Sequence, residues 1–373
     1  MVALVTASLA LLLYTYAGYP ILIAGLARLF PQRVARDPTF EPAVSVLIPV
    51  HNAASFIQAK LQSLLDQDYP KDRLEILVYS DGSTDAGDDI VRVYAERHPG
   101  RVKLLRGEKR SGKPSALNRM RREATGEILI LTDIRQPLSA NAVRVLVSTL
   151  ADRSVGCASG NLVLRGATGA GFYWNYENSI RKAEARFRSM VGVTGPLYAI
   201  RKADLPVVPV DTILDDMWIP MQLRLAGRRL VLCPDAIAYD QAFEDDREFG
   251  RKVRTLAGNY QIFVRLPRLL FPFTNPIWFE TFSHKLLRLL CPWLLVALLV
   301  GSVTALALPY AADLNQIWSL RVLVMGEVVF ALFALVGARA GRITGAARTF
   351  VVLNYAALAG LWRYLRGSQK ITW

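Results

Sequence analysis

Residues 44–88 read VSVLIPVHNAASFIQAKLQSLLDQDYPKDRLEILVYSDGSTDAGD. The opening run, 44–50, is apolar almost throughout, rich in β-branched residues and too short to cross a membrane. It predicts a strand buried on both faces, as in a parallel sheet. An amphipathic stretch follows, with Phe56, Ile57, Leu61, Leu64 and Leu65 at helical spacing. A second apolar run, 74–79, ends in Ser80-Asp81-Gly82-Ser83-Thr84-Asp85. This strand–helix–strand unit delivers an aspartate and a turn of small residues to the carboxyl edge of a sheet, where open α/β sheets bind nucleotides. Asp, Gly and Ser also favour turns, so in isolation the motif reads equally as a turn and a helix cap.

Further units of the same kind follow. A helix carrying Ile90, Val91, Val93 and Tyr94 leads to a strand at 102–105 and then to RGEKRSGKPSALN at 106–118. Lys113 stands at a helix start, whose positive end adds to its attraction for phosphate; a solvated basic loop is the alternative. The next strand, 127–132, ends in Asp133-Ile134-Arg135-Gln136. A helix at 139–150, a strand at 156–164 and a longer helix at 173–188 come next. Tyr173, Trp174 and Tyr176 in that helix read as core, with sugar stacking as the alternative. Residues 194–200 are TGPLYAI, and 211–227 place Asp215-Asp216 at a helix start with Gly227 as its stop. Acids at a helix N-terminus are common caps. A last strand covers 230–239.

In this order the motifs resemble the family 2 glycosyltransferases over roughly residues 43–261, of the type found in bacterial cellulose, hyaluronan and chitin-oligosaccharide synthases. The resemblance implies an α/β catalytic domain of GT-A fold, a Rossmann-like mixed sheet, at 43–258. It implies a nucleotide-sugar donor, UDP-linked, met by Pro49, His51, Asp81 of the Asp-Gly-Ser signature, Lys113 of a G-K-x-x-A-L-N element, Asp133, Arg135, Arg251 and Arg254. Gly195 and Tyr198 fall on the acceptor side, the glycine letting the acceptor approach the backbone. Asp216, second acid of the pair, becomes the catalytic base, with Asp215 its orienting neighbour.

Two departures matter. Relatives carry D-x-D where this chain has Asp133-Ile134-Arg135. Asp133 retains a divalent ion, Mg²⁺ or Mn²⁺, by analogy with the family. Either Arg135 points away and leaves Asp133 to bind that metal, or its guanidinium neutralises the leaving diphosphate and makes the metal dispensable. Processive relatives also carry Q/R-x-x-R-W, where Arg251 and Arg254 match but Thr255 replaces the tryptophan. That loss argues against processive polymer synthesis. The chemistry expected is direct displacement with inversion at the anomeric carbon. The acceptor is a growing glycan or a lipid-linked sugar, with single transfer to polyprenyl phosphate or another lipid as one alternative. A non-catalytic scaffold of a synthase complex is the other, and such a complex would supply partner subunits.

The two ends of the chain are apolar. Mean hydropathy is +0.25 with 52% hydrophobic residues. The segment 1–30 reads as a membrane anchor, with a secretory signal peptide as the alternative, and Arg28 at its end with Arg33 and Arg36 beyond it marks the cytoplasmic side. Residues 259–285 read as interfacial. Within 286–366, 286–308 and 317–338 are long enough to cross, and 349–365 is a possible third crossing or a helix on the inner surface. Arg321 and Glu327 inside the second crossing read as a pair or as the lining of an acceptor path. These features predict a bacterial inner-membrane protein with its catalytic domain in the cytoplasm. The net charge of +14 then reflects anionic lipid and nucleotide phosphates rather than nucleic acid. Cys157, Cys233 and Cys291 lack metal spacing and read as reduced structural residues.

Overall fold

The computed structural model describes residues 2–165, 169–241, 245–307, 314–337 and 341–371. The strands are β1 (Val44–Val50), β2 (Leu74–Asp81), β3 (Val102–Gly107), β4 (Ile128–Thr132), β5 (Val155–Arg165), β6 (Leu197–Arg201) and β7 (Arg229–Gln241). They form one sheet in the order β3-β2-β1-β4-β6-β5-β7. β1 runs parallel to β2 and β4, and β2 parallel to β3. Every residue of β1, β2 and β4 is buried, which is why these strands read as unbroken apolar runs.

Successive side chains point to opposite faces of the sheet, so each strand feeds two cores. Val46, Ile48, Ile76, Val78 and Ile130 pack with Ile57, Leu61 and Leu64 of the helix Ala54–Leu65 and with Val143 and Leu146 of Ala142–Leu150. Leu47, Leu77, Leu129 and Leu131 pack on the other side with Leu117 and Met120 of Lys113–Glu123 and with Met217 and Met221 of Asp215–Leu225. This second core continues to Leu289 of the apolar helix Leu287–Ala307. The sheet and that helix therefore share packing.

β6 departs from the parallel pattern. It is antiparallel to β4 and β5, with Thr132 opposite Leu197 and Leu131 opposite Tyr198. The reversal brings the start of β6 to the carboxyl end of β4. Residues 194–196 thereby sit beside Asp133, although more than sixty residues separate them in sequence.

Among the described residues three helices are long and apolar enough to cross a membrane: Val2–Leu29, Trp278–Ala307 and Trp318–Val336. The second starts at Trp278, so residues 278–285, expected to be interfacial, belong to the helix itself. Arg342–Leu365 packs along the amphipathic helix Asp245–Arg265, and Phe249 stacks on Tyr355 at 5.9 Å. The approach is closest at Gly360, where an added Cβ would lie 2.9 Å from the Ala257 nitrogen. Ser302 donates to Glu327, and the Arg321 guanidinium lies over Trp318. Residues 308–313 and 338–340, at the ends of the expected crossings 286–308 and 317–338, lie outside the described residues.

Candidate active site

β2 ends at Asp81, which is fully buried. Its Oδ1 accepts from the Ser111 nitrogen at 2.8 Å and the Ser111 hydroxyl at 2.9 Å, and its Oδ2 from the Gly112 nitrogen at 2.8 Å. Gly82 (φ +64°) lets the loop at 109–110 lie directly against it, since a Cβ there would meet the Arg110 nitrogen at 2.7 Å. His51 places Nδ1 2.9 Å from the Asp81 carbonyl oxygen, just beyond Pro49 at the end of β1. The Asp-Gly-Ser motif thus fixes the loop that opens the helix Lys113–Glu123. In this structure the contacts of Asp81 are to that loop.

Lys113 reaches back across the sheet edge. Its Nζ lies 2.9 Å from Asp133 Oδ1 and 3.1 Å from Asp215 Oδ2. Burial opposes its charge, but Asp133, Asp215 and Asp216 outweigh that and raise its pKa, so it stays an ammonium. Asp215 and Asp216 open the helix Asp215–Leu225, where unpaired backbone N–H groups favour negative charge. Asp216 lies against Gly195: a Cβ on residue 195 would be 2.5 Å from its Oδ2. Burial and the neighbouring Asp215 charge push the Asp216 carboxyl up to about 6, with Lys113 and Arg254 acting in the opposite sense. A carboxylate of that basicity is suited to take a proton near neutral pH.

Several sequence expectations are relocated. Arg135 is turned to Asp240, with Nη2 2.8 Å from Oδ1, while Gln136 donates to the other Asp240 oxygen at 2.7 Å. Tyr198, expected on the acceptor side, is fully buried. Its place in β6 opposite Leu131 turns the ring into the core beneath the carboxylates, so it offers no surface to an acceptor. Arg254 donates to the Ile213 carbonyl at 3.2 Å, close to the Asp215-Asp216 pair, and Arg251 lines a cavity toward the membrane helices. Lys252 lines the same cavity.

The site also contains residues that the motifs did not reveal. Lys60 is fully buried, and its Nζ donates to Thr132 Oγ1 at 2.7 Å and to the Gln136 carbonyl at 2.6 Å. Thr132 in turn donates to the Pro196 carbonyl at 2.7 Å. One buried amino group thus ties the Asp133 turn to the loop carrying Gly195. Burial lowers the Lys60 pKa to about 7, against the opposing pull of Asp133. The signal was present in the pattern, for Lys60 stands in the stripe of Ile57, Leu61 and Leu64. Arg181 donates to Thr194 Oγ1 at 3.2 Å, and Glu177, Arg181 and Glu184 share one helix face by their spacing.

Asp133 Oδ1 and Asp215 Oδ2 both face the Lys113 ammonium, and among the described residues that ion pair is the one contact of the buried Asp215 Oδ2. Oxygens converging in this way fit a hard cation. Among the described residues no cluster of three or more His, Cys, Asp or Glu side chains could hold a metal alone. A divalent ion here would therefore need donor phosphate oxygens or water as further ligands.

One edge of this mixed sheet thus brings together an aspartate-bound loop, a lysine among carboxylates and an acid pair at a helix start. Residues 45–203 match the glycosyl transferase family 2 domain, and the fold is of GT-A type. A mannosyltransferase from Pyrobaculum calidifontis, solved in complex with GDP-Man and Mn²⁺, superimposes with a TM-score of 0.77 at 27% identity, covering 97% of this chain and 99% of that one. A probable glycosyltransferase of Bacillus subtilis is 37% identical over 108 residues, 28% of this chain and 26% of its own. An N-acetylglucosaminyltransferase of Bradyrhizobium diazoefficiens is 28% identical over 221 residues, 53% of this chain and 44% of its own. The match thus spans about a quarter to a half of the length of these curated relatives.

Proposed function

We propose that the protein is an inverting glycosyltransferase that moves a sugar from a nucleoside diphosphate donor to a hydroxyl of a glycan or lipid-linked acceptor at a membrane. One observation carries this reading: the Asp216 carboxylate lies against Gly195, while the carboxylate of its neighbour Asp215 faces the Lys113 ammonium at 3.1 Å. A base and a cation are thereby presented to one reaction site. The acceptor hydroxyl gives its proton to Asp216 as its oxygen bonds to the anomeric carbon, and the bond from that carbon to the diphosphate oxygen breaks on the opposite face. A positioned base contributes about 10²–10⁴-fold in rate. Lys113 stabilises the charge that gathers on the diphosphate. A Mg²⁺ or Mn²⁺ ion held by Asp133 would add Lewis-acid stabilisation of that same charge.

UDP remains the donor nucleotide expected from the sequence resemblance, and the GDP-Man complex of the Pyrobaculum protein adds a GDP-linked sugar as its rival. Arg28 and the arginines after it suit a catalytic domain on the cytoplasmic face of an inner membrane. Thr255 in place of tryptophan favours the addition of single sugars over processive polymerisation. The test is nucleoside diphosphate release by the purified full chain in lipid, across UDP- and GDP-sugars, with and without EDTA. Turnover with one donor supports the reading, and loss with EDTA that Mn²⁺ or Mg²⁺ restores in wild type but not in Asp133→Ala supports a metal held by Asp133. Tight nucleotide binding without turnover of any donor would refute it in favour of a binding scaffold.

A further inference from the structure

Glu177, Arg181 and Glu184 follow one another at four- and three-residue spacing in the helix Gly169–Phe187, which puts them on one face. The two acids are taken by neighbouring helices. Glu177 holds the Arg288 guanidinium and lies 3.1 Å from His284 Nε2. Glu184 accepts from the Tyr19 hydroxyl at 2.7 Å and faces His284 Nδ1 at 2.6 Å. Tyr19 belongs to the apolar helix Val2–Leu29, and His284 and Arg288 to Trp278–Ala307. Seven residues of helix rise about 10 Å, so the stretch on which Arg181 stands is fixed at both ends. Arg181 itself reaches the loop 193–196, where its Nη1 donates to Thr194 Oγ1 at 3.2 Å.

That loop meets the proposed base twice. The Val193 nitrogen donates to the Asp216 carbonyl at 3.3 Å, and Gly195 packs against the Asp216 carboxylate. Between them Thr194 is buried, with its nitrogen donating to the Ser159 hydroxyl at 2.9 Å. Arg181 gives the Thr194 hydroxyl a charged donor, the stronger kind of hydrogen bond. Charge adds to this geometry. Burial opposes the Arg181 charge, whereas Glu177, Glu184 and Asp216 favour it, so Arg181 and Asp216 attract each other. Asp215 and Asp133 oppose ionisation of Asp216, and Lys113 and Arg254 favour it. The nearby Tyr198 phenol is buried and stays neutral.

We propose that Arg181 is a positioning residue for the base: its guanidinium holds the Thr194–Gly195 turn against Asp216. It acts through Asp216, by the shape of the turn and by a charge that favours the carboxylate. The proposal rests on the glycosyl-transfer reading above. The test uses the full chain in lipid nanodiscs with whichever donor and acceptor it turns over, and reads nucleoside diphosphate release as pH–rate profiles at saturating substrates. Arg181→Gln should lower kcat about tenfold and leave the donor KM within about twofold. It should also move the acidic limb upward by about half a pH unit, since a charge favouring the carboxylate is gone. Arg181→Lys keeps that charge and should return the limb to its wild-type position, with kcat between the two. Thr194→Val removes the hydroxyl alone, and in that background Arg181→Gln should cost about threefold less than in wild type. If Arg181→Gln does not fold, Thr194→Val decides: kcat lowered by about threefold supports the role, and wild-type kcat overturns it. Wild-type kcat in Arg181→Gln, a lowered kcat with the limb unmoved, or effects of the two substitutions that multiply in full would each overturn the role of Arg181 alone. Absence of donor turnover by wild type would overturn the glycosyl-transfer reading with it.

Discussion

Gly195→Ala isolates the geometry of the proposed base without altering any charge. A Cβ at this position would lie 2.5 Å from Asp216 Oδ2, 3.2 Å from Cγ and 3.4 Å from the Asp216 Cβ. A relaxed carbon–oxygen contact needs about 3.3 Å or more, so the carboxylate must retreat by roughly 0.8 Å. Asp216 sits in the first turn of a helix whose Met217, Ile219 and Met221 are buried, and the backbone cannot follow easily. A misplacement near 1 Å at a reacting group reduces rate by about 10²-fold, so kcat should fall between about 10- and 100-fold. Overpacking would lower stability by about 1–3 kcal/mol, read separately as thermal unfolding in detergent. The rate is read as nucleoside diphosphate release at saturating donor and acceptor. If the methyl group acts through Asp216, the double variant with Asp216→Asn should be little slower than Asp216→Asn alone. Wild-type kcat in Gly195→Ala, or two effects that multiply in full, would refute the placement.

Other consequences follow from named contacts. Because the Asp216 carboxyl titrates at about 6, kcat should fall about tenfold per pH unit below that value in a pH–rate profile. That pKa is raised above the unfolded value, so Asp216→Asn should raise Tm at pH 8 and leave it unchanged below pH 4. Lys60 has a lowered pKa, so its burial opposes folding fully below about 7 and less as pH rises toward its unfolded value. Lys60→Met should therefore raise Tm most at neutral pH or below, while lowering kcat through a loosened Asp133 turn; an unchanged kcat would show that the clamp is dispensable. Arg135→Gln should lower stability by about 1–3 kcal/mol in chemical denaturation, since Gln136 still holds the buried Asp240. Tyr19 donates to Glu184 at 2.7 Å, which also faces His284 Nδ1 at 2.6 Å. Tyr19→Phe should consequently lower Tm and expose the helix Gly169–Phe187 to protease.

The central sheet was legible because β1, β2 and β4 are buried on both faces, which leaves their sequences almost no polar positions. Asp81, Lys113 and the Asp215-Asp216 pair stood out because each closes a strand or opens a helix. What sequence spacing does not carry is the partner. Asp81 binds a loop thirty residues away, and Arg135 finds Asp240 across 105 residues. The reversal of β6 that turns Tyr198 inward depends on how strands pair, not on the composition of TGPLYAI. The start at Trp278 of the apolar helix that runs to Ala307 was hidden for a related reason. His284 and Lys285 look unfit for a membrane helix by themselves, yet His284 faces Glu177 and Glu184 of another helix. Pairing of that kind lets ionisable side chains enter a buried helix contact.

The most direct measurement is sugar transfer by wild type and Asp216→Asn, side by side, with binding of the nucleotide sugar followed by calorimetry on the same samples. Loss of transfer by 10²-fold or more, with donor affinity retained, is the expected result for a catalytic base on the acceptor side. Equal transfer rates in the two proteins would contradict it, and the proton would then have to leave through another group.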